Sequence, residues 1–193
     1  MRNAKEYYEK TINNKPSGLM EKFFNLKYNE VLDGNVAIDL GCGAGNDTEF
    51  LISKGFKVMA VDSQEEVKDF LKEKNLDKAK FELIIGDFSK VELPKADLIY
   101  ANMSLFFVKN NFDLFLKSLL EKVNKNGFFV ANFIGKEDDW NGTKTKTTIE
   151  KEELLSYFKD FDLQYFSEEK FYGNTALGKK KFWHKYTVMG RRK

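Results

Sequence analysis

The chain has 193 residues, a length that fits one domain able to bury roughly 70% of its unfolded surface. Hydrophobic residues make up 42% and charged residues 32%, which excludes a disordered chain, and the apolar stretch near Leu98–Val108 is too short to span a bilayer. The 32 basic and 30 acidic residues nearly cancel, and Arg2, Arg191 and Arg192 are the only arginines, so the bidentate forks that grip nucleic acid are scarce. The opening MRNAKEYYEK holds no signal-peptide core, and the single cysteine, Cys42, excludes an internal disulfide and a cysteine-based zinc site. A reduced, cytoplasmic setting, without membrane or nucleic-acid partners, is the expectation.

Periodicity predicts two N-terminal helices, Ala4–Asn13 and Ser17–Tyr28, broken at Pro16. Strands follow at Val36–Leu40, Lys57–Asp62, Phe81–Gly86 and Ala96–Asn102, with helices Asn46–Lys54 and Glu65–Lys74 after the first two. Helix Asn111–Lys122 carries Phe112, Phe115, Leu116 and Leu119 on one stripe, and Asn126-Gly127 turns it into strand Phe128–Ile134. A polar loop (Gly135–Thr148), a short helix (Lys151–Phe158) and strands Phe161–Phe166 and Lys181–Met189, joined by a loop over Phe171–Lys180, complete the chain. Repeats and linkers are absent from the sequence. One α/β domain spanning 1–193 is expected, with a helical cap over 1–34, a ligand-binding half over 35–135 and a substrate-side half over 136–193.

The sharpest local signal is Ile38-Asp-Leu-Gly-Cys-Gly-Ala-Gly-Asn46 between the first strand and helix. Gly41, Gly43 and Gly45 allow a tight turn and close approach of a ligand to the backbone. The dinucleotide fingerprint needs a third glycine where Asn46 stands, and the P-loop sequence Gly-Lys-Ser/Thr is missing. Asp62 ends the second strand about twenty residues later, where a carboxylate can accept both hydroxyls of a ribose. Asp87 and Phe88 end the third, offering an acceptor for an exocyclic amine and a ring to stack on a purine. Each acid alone also reads as a helix cap or turn residue. Together they stand at successive strand ends, the edge where open α/β sheets bind ligands.

These segments, with Ala96-Asp-Leu-Ile-Tyr-Ala-Asn-Met103 and Leu120-Glu-Lys-Val-Asn-Lys-Asn-Gly-Phe-Phe-Val-Ala131, resemble the class I S-adenosylmethionine-dependent methyltransferases over residues 36–134. The loop Gly135–Asn141 with its Asp-Asp-Trp, and Thr175-Ala-Leu-Gly-Lys-Lys-Lys-Phe-Trp-His184, look similar to small bacterial methyltransferases of the tellurite-resistance type. The resemblance implies a Rossmann-like open sheet of seven strands in the order 3-2-1-4-5-7-6, strand seven antiparallel, with helices on both faces. It implies S-adenosylmethionine as cofactor and S-adenosylhomocysteine as product. Asp39, Gly41, Cys42, Gly43 and Gly45 would border the amino-acid part, Asp62 would hold the ribose, and Asp87 with Phe88 the adenine, with Ser63 a further cofactor contact. The backbone near Asn102 and Met103 would complete the pocket between donor and substrate.

The acceptor side carries fewer marks. An antiparallel last strand starts at the edge where parallel strands end, so Trp183 and His184 fall at the expected catalytic rim. His184 is the candidate general base or substrate partner, and it reads equally as a structural histidine satisfied by backbone. Trp140, Phe106 and Tyr7 are candidate substrate contacts with ordinary packing as the alternative, and Tyr8 on the same helix could close the pocket with Tyr7. In-line transfer from a sulfonium relies on positioning, so no metal or nucleophile is required. DNA amino-methylation is disfavoured because Asn102-Met-Ser-Leu replaces the Pro-Pro-aromatic motif, and cytosine-carbon methylation because neither Pro16 nor Pro94 precedes a cysteine nucleophile. The Lys179–Lys181 and Arg191–Lys193 clusters read as solvated. A small-molecule acceptor, with the chain as monomer or homodimer, is the expectation. A nicotinamide oxidoreductase, a nucleic-acid or protein methyltransferase and a non-catalytic S-adenosylmethionine-binding module are the alternatives.

Overall fold

The first three strands are short apolar runs, and β1 (Val36–Leu40) is buried from Ala37 to Leu40, as befits a strand covered on both faces. The structure, a computed structural model, describes residues 4–27 and 35–193, so part of the expected 1–34 cap, including the helix end at Tyr28, lies outside the described residues. Two compact units divide the chain at Glu92 and Leu93.

The first unit holds α1 (Ala4–Thr11), α2 (Gly18–Lys27), β1, α3 (Asn46–Ser53), β2 (Lys57–Asp62), α4 (Val67–Glu73) and β3 (Phe81–Ile85). β1, β2 and β3 are parallel, with Leu40 level with Val61 and Asp62 level with Ile85. That register brings the turn after β1 beside the carboxyl end of β2. Gly41 and Cys42 extend the pairing by donating their amides to the Val61 carbonyl at 2.7 and 3.2 Å. Tyr8, Cys42, Ala44, Ala60, Val67 and Leu71 form one buried cluster behind this edge.

The second unit holds β4 (Ala96–Ala101), a 3-10 turn (Leu105–Phe107), α5 (Phe112–Glu121), β5 (Val123–Ile134), α6 (Lys151–Ser156), β6 (Phe161–Asn174) and β7 (Lys180–Arg192). β4 and β5 are parallel, β7 is antiparallel to both β5 and β6, and the sheet order is β3-β2-β1-β4-β5-β7-β6. This is the Rossmann-like arrangement expected of the sequence.

The last two strands depart from expectation. The segment read as a loop, Phe171–Lys180, continues both strands, and β6 pairs with β7 out to Asn174 and Lys180. Cross-strand aromatics hold this extension: Phe171 stacks on Trp183, and Tyr172 meets Phe182 edge-on. β5 also begins earlier than expected, at Val123, passing through Asn126 at a φ of +65°. Gly127 follows, where a Cβ would lie 2.9 Å from the Asp97 carbonyl oxygen, so its lack of a side chain permits the strand approach.

Candidate functional site

In the first unit the turn after β1 places Gly41, Gly43 and Gly45 at φ of 76°, 54° and 80°, the left-handed region that glycine tolerates. At Gly45, the N-cap residue just before α3, a Cβ would also sit 2.2 Å from the buried Leu71 side chain. Asp62 faces this turn. Its Oδ2 accepts the Gly43 amide at 3.0 Å, while Oδ1 accepts the Tyr8 hydroxyl at 3.2 Å and the Gln64 amide at 3.1 Å. Burial raises the Asp62 carboxyl, and the hydrogen bonds from Gly43, Gln64, Tyr8 and Ser63 pull it back toward the ionised form.

Asp39 lies behind the turn, buried, with Thr48 Oγ1 donating to its Oδ2 at 2.6 Å. Burial, reinforced by the Asp47 charge, pushes its carboxyl up to about 8. Cys42 is buried, and that burial, with the charges of Asp39 and Asp62, raises its thiol well above the ordinary range. Asn46 donates Nδ2 to the Thr11 carbonyl at 2.7 Å, tying the end of α1 to the turn, and its buried Oδ1 has no protein partner. Tyr7, half-buried, meets Tyr8 edge-on at 5.6 Å, and both rings reach van der Waals distance of the position a Gly43 Cβ would take. Ser63 is exposed and accepts the Gln64 side-chain amide. Asp87 is exposed at the end of β3. The small loss of water there favours its neutral form, but bonds from Ser89 and the Lys90 charge outweigh it and hold the carboxyl below the usual range. Phe88 beside it is buried.

In the second unit, Asn102 and Met103 follow β4, with Met103 held at a φ of +53°. Phe106 on the 3-10 turn, Ile134 at the end of β5 and Trp183 near the start of β7 form a buried cluster against which Met103, Phe107 and Trp140 pack. Trp140 lies 5.2 Å from Phe106 and 5.0 Å from Trp183, ring centre to ring centre. The structure thus brings together three of the candidate acceptor-side residues, Phe106, Trp140 and Trp183.

His184 is held on both sides. Its Nδ1 accepts the Glu137 amide at 3.1 Å, which leaves the proton on Nε2 to donate to Glu168 Oε1 at 3.0 Å. The residue is 2% exposed, so in this arrangement neither nitrogen is open to take a proton from a substrate.

Sequence reading missed a buried ion pair next to these rings. Lys181 Nζ meets Asp138 Oδ1, and the ammonium lies 4.0 Å from the Trp140 ring centre and 3.7 Å from that of Trp183. Asp138 also accepts the amides of Trp140 and His184, both at 2.9 Å. The Lys179–Lys181 cluster is therefore only partly solvated, because strand alternation turns Lys181 inward with Trp183. Arg192 likewise caps α5 by donating to the Leu120 and Val123 carbonyls, and Arg191 lies over Phe128. Period-two reading back from Trp183 puts Lys181 on the same face, but nothing in that run marks Asp138 as its partner.

The sheet order and the glycine turn opposite an acid define a class I S-adenosylmethionine-dependent methyltransferase fold. Residues 38–131, just under half of the chain, match the methyltransferase domain family. A probable ribosomal RNA small subunit methyltransferase A from Methanococcoides burtonii is 35% identical over 74 residues, 38% of this chain and 27% of that protein. A pavine N-methyltransferase from Thalictrum flavum subsp. glaucum is 32% identical over 127 residues, covering 58% and 35% of the two chains. The matched stretches thus span about a third or less of these relatives. Among solved structures, TehB from Haemophilus influenzae superposes with a TM-score of 0.70 at 20% identity, over 90% of this chain and 67% of that one, a likeness of fold.

Proposed function

We propose that the chain transfers the methyl group of S-adenosylmethionine to a small-molecule acceptor. The observation that carries this reading is Asp62, a carboxylate at the carboxyl end of β2 locked to the Gly43 amide of a left-handed glycine turn. The residues fit the cofactor: Asp62 supplies acceptors for ribose hydroxyls, Gly41–Gly45 allow close approach, and the unpartnered Asn46 Oδ1 is an acceptor at the same turn. Bound S-adenosylmethionine supplies a methyl group already activated on a sulfonium. Asp62 fixes its orientation, Asp87 and Phe88 serve the adenine side, and Asp39 holds the turn through Thr48. Ser63 completes the cofactor contacts of this unit in this reading. No residue need act as nucleophile, since position supplies much of the rate.

The N-methyltransferase among the relatives, the scarcity of arginine and the aromatic lining of Phe106, Trp140 and Trp183 support a small acceptor over nucleic acid. His184 enters as a positioning residue that ties the Glu137 amide to the Glu168 carboxylate. Calorimetric titration with S-adenosylhomocysteine tests the cofactor assignment, with NAD as control. Saturable binding that Asp62→Ala weakens by about 1–3 kcal/mol is the expected result, the cost of leaving polar partners unpaired. Binding unchanged by Asp62→Ala in a folded variant refutes the ribose role.

A further inference from the structure

Three aromatic rings stand at the carboxyl edge of β4 and β5, where open α/β sheets receive ligands. Phe106 and Phe107 come from the 3-10 turn after β4, and Trp140 from the loop after β5. Their centres are closely spaced, 4.6 Å between the two phenylalanines and 5.2 Å from Phe106 to Trp140. A positive charge already sits among them. Lys146 Nζ lies 4.0 Å from the centre of Phe107, 5.4 Å from Trp140 and 5.6 Å from Phe106. All three distances fall within the reach of a cation–π contact.

From this we infer that Phe106, Phe107 and Trp140 form a cage for the nitrogen of an amine acceptor, with the Lys146 ammonium as its internal stand-in. The inference rests on the methyl-transfer reading above and names its acceptor class.

The charge balance favours a cation. Ring faces present the negative side of their quadrupole, which attracts ammonium and repels carboxylate or oxyanion. The neighbouring Lys181 is matched by Asp138, so that pair adds little net charge. The cage also suits the chemistry of an amine. As nitrogen is methylated, its lone pair forms the new N–C bond, and the electrons of the broken C–S bond remain with sulfur. The positive charge moves onto nitrogen, and a primary or secondary amine then releases a proton to water. Aromatic faces stabilise that arriving charge, so the cage acts where the transition state differs from the neutral amine.

Lys146 can leave without unfolding its loop. The Thr147 amide is fixed to the Phe106 carbonyl at 2.8 Å, and Thr143 is bonded to the Trp140 carbonyl. The backbone is therefore pinned on both sides of Lys146, and the half-exposed side chain swings outward by giving up the 3.3 Å bond from its Nζ to the Thr145 carbonyl, among its contacts.

The test uses the chain's only two tryptophans, Trp140 and Trp183, as its reporters. The full chain is titrated with choline chloride at constant ionic strength, and with the neutral isostere 3,3-dimethylbutan-1-ol. Saturable fluorescence change with choline, at about tenfold lower concentration than any response to the isostere, is expected. Lys146→Ala removes the occupant and tightens choline binding about threefold or more. Phe107→Leu weakens choline binding while leaving both reporters in place, and Trp140→Ala abolishes it. Equal responses to the two probes, tighter binding of acetate than choline, or weaker choline binding by Lys146→Ala each overturn the cage. Calorimetry with S-adenosylhomocysteine, run in parallel, separates the two readings. Its binding without choline binding overturns the cage alone, whereas choline binding without it supports the cage and refutes the cofactor reading.

Discussion

Replacing Lys181 by methionine isolates the buried ion pair beside the aromatic cluster. The Lys181 side chain is 3% exposed and that of Asp138 is fully buried, so neither charge can recover its hydration when the other is removed. Breaking a buried pair on one side costs about 3–5 kcal/mol because a charge is left behind. Two features place this pair at the lower end. Asp138 keeps the amides of Trp140 and His184, and methionine retains much of the packing between the two indoles. The expected loss is therefore about 3 kcal/mol, or a fall in melting temperature of about 6–12 °C for a chain of this size.

Thermal and urea unfolding followed by circular dichroism measures it. The double variant Lys181→Met/Asp138→Asn removes both charges and should be less destabilised than the sum of its single variants, because the orphaned carboxylate is gone. A Lys181→Met protein within about 1 kcal/mol of the parent, or strict additivity in the double variant, refutes the reasoning.

Asp39 gives a pH signature. Its folded carboxyl, pushed by burial up to about 8, holds a proton that the unfolded chain releases near 3.8. The folded state binds more protons across that window, so Asp39 lowers stability as pH rises between these values. The midpoint urea concentration of the parent should fall between pH 5 and about 8 relative to Asp39→Asn, and parallel profiles refute the assignment. Gly135→Ala probes the seat of His184. Its Cβ would lie 2.3 Å from Nδ1, so the imidazole must move and the Glu137 bond must stretch. A loss of about 1–3 kcal/mol in urea unfolding is expected, and unchanged stability shows the ring to be loosely held.

Much of the fold is legible because each strand of the first unit is a short apolar run closed by glycine or aspartate. β1 and β2 have the residue limits that periodicity predicts, and the carboxyl edge follows from their parallel register. The hairpin of β6 and β7 was harder to read. Phe171–Asn174 and Lys180 lie in a mixed, glycine-containing stretch that reads as a loop, so their pairing comes from cross-strand aromatics.

The candidate site divides in the same way. The glycine turn and Asp62 are recognisable because backbone geometry demands particular residue types at fixed spacing. Sequence alone also set the α/β class and the strand-end positions of Asp62 and Asp87. Only the tertiary structure decided that Tyr8 reaches Asp62, that both nitrogens of His184 are taken, and that Lys181 is buried against Asp138. Those facts depend on contacts between residues 43 to 54 positions apart, or on a neighbouring strand, and no local pattern encodes them. A lysine in a basic run and a lysine clamped between two indoles have the same letter. What separates them is the loss of water on packing, and that is fixed only when the distant rings and carboxylate arrive.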